Sequence, residues 1–258
     1  MLWESVDAAD ALSERFGFND AVSVVSWISD TLWDTWATPV DQCDRIVMSD
    51  RNLLAWLTTG RGRVIAKWST SPKRFQRLAD TTRLTMWLHG RGVPVAAPIP
   101  AKDGRLRVQL GDISLGVFPV VDGDLLDVDD LAQVVEAGHL LATLHEELAV
   151  YPHSIDGGQP VGHEQLVQND FRSANILHDG TSITAILDFE DASYRTRVAD
   201  LAQATVLLRT RYRNWGPTSP SIREAFVAAY QDHIPLTDAE QHELRQQVTT
   251  VMKHFGWE

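Results

Sequence analysis

An aspartate, an asparagine five residues later and a second aspartate beyond a hydrophobic run stand in order in this chain. They lie in Gln168-Asn169-Asp170-Phe171-Arg172-Ser173-Ala174-Asn175-Ile176-Leu177 and Ile186-Leu187-Asp188-Phe189-Glu190. These types suit phosphoryl transfer from a Mg-nucleotide to a hydroxyl. That reaction asks little covalent work of a protein, so catalysis is mainly positioning and charge neutralisation. One carboxylate, Asp170, can orient a hydroxyl and take its proton. Mg2+ prefers oxygen ligands and is usually held by one or two carboxylates plus phosphate oxygens, which suits Asn175 and Asp188.

The elements that must position these residues are short. Ile176-Leu177-His178 and Ile183-Thr184-Ala185-Ile186-Leu187 read as two strands, with Asp179-Gly180 as the hairpin signal between them. Asn175 and Asp188 then sit at neighbouring ends of that hairpin, close enough to share one ion.

With this order and spacing, the segment resembles the aminoglycoside phosphotransferase family, whose members share the protein-kinase-like fold. The family pattern is His-Gly-Asp, four residues, Asn, Ile/Val-Leu, then a hydrophobic strand ending in Asp-Phe/Trp-Glu/Asp. The chain matches it at Asp170, Asn175, Ile176, Leu177, Asp188, Phe189 and Glu190, and departs from it at Gln168-Asn169, in place of His-Gly. The departure removes neither the base nor a metal ligand. The resemblance implies an α+β, bilobal protein-kinase-like fold. Residues 1–120 would form a small β-rich N-lobe on the nucleotide side. Residues 121–258 would form a larger, mainly helical C-lobe with the catalytic loop, metal site and acceptor side.

Further stretches follow the same resemblance. Val64-Ile65-Ala66-Lys67-Trp68 looks like the strand whose Lys binds the nucleotide phosphates. A lysine in an apolar strand is costly without anionic partners, and the plain alternative is an edge-strand lysine that snorkels to water. Arg45–Ser49 and Leu53–Thr58 read as two strands, joined by a turn that in the family lies over the phosphates. It holds no Gly here, which leaves backbone amides and the short side chains of Ser49 and Asn52 as the cover. Gly60-Arg61-Gly62 leads into a strand and reads as a hairpin turn. A helix begins near Pro72, and its Asp80 stands where the family carries an acid that pairs with the Lys. Gly92-Val93-Pro94-Val95 resembles the link into the fourth strand. The stretch from Ile113 to Gly123 resembles the fifth strand and hinge, where Phe118, Val120 and Val121 would meet the purine edge. Pro119 lacks an N–H, so Val120 or Val121 would donate.

Asp129 to Leu148 has the spacing of an amphipathic helix and ends in Leu-Ala-Thr-Leu-His, a family-like signature. His139 and His145 read as structural. Asp200 resembles the family position that holds the catalytic loop by accepting backbone N–H bonds. Ser221-x-x-Glu224 and Thr237-x-x-Glu240 read as capping boxes of two late helices. Arg209, Arg211, Arg213 and Trp215 read as a solvated helix end. Helical spacing over the first forty residues carries Trp27, Leu32, Trp33 and Trp36, a stripe suited to core packing or a dimer contact.

Composition sets the outer limits. At 258 residues and 44% hydrophobic content the chain can bury a large core and is not a disordered one. Its single cysteine, Cys43, cannot form an internal disulfide, which fits a reducing cytoplasm. There is neither a signal-peptide pattern nor a long apolar run, so a membrane partner is not expected. The formal net charge of -12 disfavours nucleic acid. Charge is uneven: residues 61–107 hold 11 Lys/Arg against 2 Asp/Glu, net +9, and residues 108–258 hold 9 against 23, net -14. An acidic cleft concentrates cationic ligands.

The sequence thus reads as a Mg2+-dependent, ATP- or GTP-using phosphotransferase acting on a small-molecule hydroxyl, as a monomer or homodimer. Antibiotic O-phosphorylation of a cationic acceptor leads, with Arg172, Glu190 and Asp191 as acceptor contacts. Arg172 could instead stabilise charge on the transferred phosphoryl. A metabolite kinase for choline, an amino alcohol or a sugar uses the same constellation. The alternative of another class is a nucleotide-binding module without catalysis.

Overall fold

The computed structural model describes residues 8–212 and 215–257; Arg213 lies outside them. The chain forms two compact units. The first is Met1–Met86 with Ala96–Val120, and the second is Trp87–Val95 with Val121–Glu258.

The first unit is built on a five-stranded antiparallel sheet. Its strands are β1 (Val40–Met48), β2 (Leu53–Thr59), β3 (Gly62–Ser69), β4 (Arg107–Leu110) and β5 (Ile113–Pro119), in the order β1-β2-β3-β5-β4. Alternation fixes its faces: Leu53, Ala55 and Leu57 of β2 and Val64, Ala66 and Trp68 of β3 are buried, with the residues between them less so. The buried face packs with α1 (Ala8–Phe16) and α2 (Ala21–Trp36). Val24, Ile28 and Leu32 of α2 recur every fourth residue, one stripe of a helix, and all are fully buried. Asp20 and Ser23 close a capping box at its start. Trp27 packs against Phe18 and Trp68 at ring-centroid distances of 5.5 and 5.3 Å, and the Trp36 Nε1–H donates to the Ile99 carbonyl at 2.9 Å. Trp33 of the same stripe is exposed. After β3, a 3-10 turn at Pro72–Arg74 leads into α3 (Phe75–Gly90).

The second unit is mainly helical. Its helices are α4 (Leu131–Ala149), α5 (Arg197–Leu207), α6 (Pro220–His233) and α7 (Asp238–His254). Two small antiparallel sheets carry the site, one ordered β6 (Asp124–Leu125), β8 (Ile176–His178), β9 (Ile183–Ile186), the other pairing β7 (Gln165–Val167) with β10 (Ser193–Arg195). The stretch Trp87–Val95, placed in the N-lobe from sequence, belongs here. The Ile186 N–H donates to the Pro94 carbonyl at 2.7 Å, and Val95 forms an isolated bridge with Ile186. The link after Val95 therefore does not run straight into a strand, and β4 begins only at Arg107.

Helix starts follow their caps. Asp130 caps α4 through the Ala132 N–H, and Thr237 with Glu240 closes the capping box of α7. The box expected at Ser221-x-x-Glu224 does not form. Pro220 stands at the first turn of α6 and Ser219 is its N-cap. Proline has no N–H to leave unpaired there and its φ suits a helix start, so the helix begins ahead of Ser221. Among the described residues no helix is long and apolar enough to cross a membrane.

Helices α4 and α6 approach closely at Gly138. A Cβ there would stand 2.6 Å from the Phe226 carbonyl oxygen and 2.8 Å from the Ala229 Cβ. Gly138→Ala gains about 1 kcal/mol of helix propensity, but overpacking against backbone costs about 1–3 kcal/mol. Gly138→Val forgoes most of the first and worsens the second. It is expected to lower the melting temperature by several degrees, with Gly138→Ala smaller or near neutral. A valine variant that melts at or above the wild-type temperature would contradict this close approach.

Candidate functional site

The candidate catalytic residues are held by the loop after β7, a 3-10 turn at Ser173–Asn175 and the β8–β9 hairpin. In the hairpin, Asp179 accepts the Thr181 and Ser182 N–H groups through Oδ1, and Gly180 takes a φ of 94°. Ile176 lies opposite Ile186, and the Leu187 N–H donates to the Asn175 carbonyl at 2.7 Å. Asp188 therefore follows one residue beyond the partner of Asn175.

Asp170 is clasped from two sides. Arg172 Nε donates to its Oδ1 at 2.7 Å, and Asn175 Nδ2 donates to its Oδ2 at 2.6 Å and to its backbone carbonyl at 2.9 Å. Burial is the largest influence on the carboxyl and raises its pKa above the usual carboxylate value. The Arg172 and Asn175 contacts pull it back down, and the negative Asp188 adds to the rise. The backbone of the Asp188 loop is fixed by Gln168. Its Nε2 donates to the Leu187 carbonyl at 3.0 Å and to the Asp188 carbonyl at 3.1 Å, while Asp188 Oδ1 accepts the Glu190 N–H at 3.3 Å. Asp188 has a φ of 55° and Asn169 one of 68°. Asp and Asn are the side chains that best tolerate this left-handed region. The Gln168 amide thus clamps the Asp188 loop, and Asn169 takes a turn that glycine otherwise favours.

Asn169 is itself tied down. Its backbone N–H donates to Asp200 Oδ1 at 3.0 Å, its carbonyl accepts Gln203 Nε2 at 2.6 Å, and its side-chain oxygen accepts Arg195. Asp200 Oδ2 meets His145 Nε2 at 2.9 Å, and His145 Nδ1 meets the Tyr230 hydroxyl at 2.8 Å. Asp200 and His145 are each 1% exposed. Burial pushes the Tyr230 hydroxyl up to about 12, so it stays a hydroxyl across the ordinary pH range. His145 is structural, and Tyr230 joins a network in which the sequence marked only Asp200 and His145.

The donor set suits Mg2+. Asn175 turns its NH2 to Asp170, which leaves Oδ1 as the amide's ligand atom, and Asp188 supplies a carboxylate. Among the described residues no three His, Cys, Asp or Glu side chains group into a metal cage. Mg2+ needs none when phosphate oxygens complete its shell. Glu190 is buried and Asp191 exposed, in the turn that follows Asp188.

The candidate nucleotide residues lie apart in sequence. Lys67 is half-buried on β3, between β2 and β5, and so is not on an edge strand. Asp80 is buried on α3, where it accepts Gln76 Nε2 at 2.9 Å and stands 3.4 Å from Arg83. The Ser49–Asn52 turn is largely closed on itself. Ser49 Oγ accepts the Arg51 and Asn52 N–H groups at 3.2 and 3.0 Å, and the Ser49 N–H donates to the Asn52 carbonyl. Those three amides are therefore engaged within the turn. Phe118 is half-buried on β5. The Val120 N–H extends the β3–β5 pairing by donating to the Arg63 carbonyl at 2.9 Å. Of the two hinge donors weighed from sequence, this leaves Val121.

The comparisons with known proteins agree with this architecture. The model of a phosphotransferase enzyme family matches residues 154–244, the stretch from just before the catalytic loop into α7. No curated protein sequence matches the chain. Several solved structures have the same fold. A macrolide 2'-phosphotransferase from Brachybacterium faecium is 16% identical with a TM-score of 0.61, over 87% of this chain and 89% of that one. A microcompartment-associated aminopropanol kinase is 19% identical with a TM-score of 0.63, over 88% and 86%. A spectinomycin phosphotransferase, solved with ADP and spectinomycin, is 13% identical with a TM-score of 0.59, over 89% and 94%. Residues 154–244 thus resemble a phosphotransferase family, within a fold that the chain shares with antibiotic phosphotransferases and small-molecule kinases.

Proposed function

We propose that the chain transfers the γ-phosphoryl group of ATP or GTP to a hydroxyl of a small molecule. The observation that carries this is the Asp170 carboxylate, clasped by Arg172 and Asn175 and within electrostatic reach of Asp188. Asp170 accepts the hydroxyl proton as the acceptor oxygen bonds to phosphorus, and the bond from phosphorus to the β,γ-bridging oxygen breaks to release the nucleoside diphosphate. Asn175 Oδ1 and the Asp188 carboxylate hold Mg2+, which neutralises charge on the phosphates when bound. Lys67 is assigned to the phosphates by its resemblance to the family lysine, with Asp80 as its acidic support and Val121 at the purine edge. Arg172 holds Asp170 and is assigned with Glu190 and Asp191 to the acceptor; Asp191 is exposed and extends the acidic surface after Asp188, while Glu190 is buried.

A cationic antibiotic is the leading acceptor. Residues 108–258 carry a net charge of -14, and the chain shares its fold with macrolide and spectinomycin phosphotransferases. An amino alcohol is the second reading, favoured by the likeness to an aminopropanol kinase. With its lone cysteine, the chain fits a cytoplasmic enzyme. The test is coupled nucleotide turnover with aminoglycosides, macrolides, basic peptide antibiotics, choline and amino alcohols. Acceptor-dependent release of ADP or GDP that stops when EDTA removes Mg2+ is expected. Release that ignores Mg2+ would remove the metal from this reading, and nucleotide binding without release for every acceptor would favour a non-catalytic module.

A further inference from the structure

Tyr212 and Trp215 fall outside every role assigned so far. They follow α5 in a stretch tied to the catalytic loop. The Ser173 N–H and hydroxyl both donate to the Leu208 carbonyl, and Arg172 Nη1 donates to the Arg211 carbonyl at 3.0 Å. The Tyr212 hydroxyl donates to the Ala174 carbonyl at 3.4 Å. The Arg172 guanidinium lies over the Trp215 ring, 5.1 Å from its centroid. Trp215 packs in turn on Phe255 at 5.7 Å, and Phe255 stacks on Trp257 at 4.8 Å. Although held at these points, Tyr212 is 48% exposed and Trp215 44%.

Half-exposed aromatic side chains on a fixed support offer large apolar area at small conformational cost, which is how binding surfaces are commonly built. Here they adjoin the one carboxylate placed to receive a hydroxyl proton, since Arg172 touches both Asp170 and Trp215. We propose that Tyr212 and Trp215 form the apolar wall of the acceptor site, and that the acceptor presents a ring face beside its hydroxyl, as a glycoside or macrocycle does. This rests on the phosphotransferase reading. A bare amino alcohol offers the wall no ring face. Its ammonium would also meet the Arg172 guanidinium that already lies over Trp215. A neutral ring face stacks beside that guanidinium without penalty, and amines at the far edge of a ring still meet the acidic surface.

The experiment measures acceptor and nucleotide KM for the wild type and for Trp215→Ala, Tyr212→Ala and Trp215→Phe, with thermal melts as a folding control. For the alanine variants the acceptor KM is expected to rise about tenfold or more, with nucleotide KM within about twofold and most of the loss recovered by Trp215→Phe. Ring acceptors are expected to exceed choline and ethanolamine in kcat/KM by about tenfold or more. Turnover with acceptor KM unchanged in both alanine variants overturns the wall and leaves the phosphotransferase reading standing. A preference for the amino alcohols overturns the acceptor class. No turnover by the wild type with any acceptor overturns both readings together.

Discussion

Asp170→Ala is expected to lower kcat by about 10²- to 10⁴-fold, the contribution usual for a positioned general base, with nucleotide affinity within about twofold of wild type. The argument rests on how the carboxylate is held. Each oxygen accepts one strong donor, Arg172 Nε on Oδ1 and Asn175 Nδ2 on Oδ2, so the group cannot rotate away from its place. Each oxygen keeps acceptor capacity for a substrate hydroxyl. Burial raises the pKa of the carboxyl, which makes it a better proton acceptor than an exposed aspartate. Asp170→Asn is a poorer control than it looks. One oxygen becomes an NH2, and on either side that NH2 faces a donor. Asparagine is therefore expected to lose activity as fully as alanine and to loosen the loop as well. Single-turnover kinetics with separate nucleotide-binding titrations test this. Turnover by Asp170→Ala within tenfold of wild type would remove Asp170 from the role of base and shift the proton to solvent.

The parts of this site that were legible in sequence are those whose chemistry is written in consecutive residues. The order and spacing of Asp170, Asn175 and Asp188 place them on one loop and the hairpin that follows it, and the hydrophobic run between the last two folds back as the β8–β9 pair. The Lys67 strand was readable for a related reason, since a charge inside an apolar alternation marks the side of the sheet away from the core. What escaped depends on partners distant in sequence. Nothing near Gln168 announces that its amide spans two carbonyls some twenty residues on, so the sequence gives the departure at Gln168-Asn169 no structural role. Val120 stands beside Val121 as a possible hinge donor in the sequence, but its N–H extends the β3–β5 ladder to the Arg63 carbonyl. Ser221 and Glu224 have the right spacing for a cap, but a proline one residue earlier starts the helix first. Arg209, Arg211, Arg213 and Trp215 read as a solvated helix end because the ties of Arg211 and Trp215 to the loop both run through Arg172, some forty residues earlier in the chain. The departure at Gln168-Asn169 was the one local signal that the loop is supported in its own way.

Asp200→Ala is expected to cost about 3–5 kcal/mol, since it leaves two buried donors, the His145 Nε2–H and the Asn169 N–H, without their acceptor at roughly 1–3 kcal/mol each. At roughly 2–4 °C per kcal/mol for a chain of this size, the melting temperature should fall by about 6–20 °C. The size of the effect follows from what is left behind. A carboxylate can only accept, so His145 donates through Nε2 to Asp200 Oδ2, and the Tyr230 hydroxyl serves Nδ1. Removing the carboxylate strands that imidazole at 1% exposure and strands the Asn169 N–H as well. Asn169 is the left-handed residue immediately before Asp170, and its hold on Asp200 fixes the direction in which the loop presents the base. The damage should therefore reach catalysis beyond the loss of folded protein, and kcat of the fraction still folded at low temperature is expected to fall by tenfold or so. Asp200→Asn separates the two effects. Its amide oxygen can still accept the Asn169 N–H while its NH2 faces His145, whose neutral ring can accept there by changing tautomer. The asparagine variant should melt between wild type and alanine and recover most of the lost kcat. Equal melting temperatures for wild type and Asp200→Ala would mean that the buried network contributes nothing to holding the loop. Equal kcat for the two at matched folded fraction would mean that the Asn169 turn is set by Gln203 and Arg195 alone.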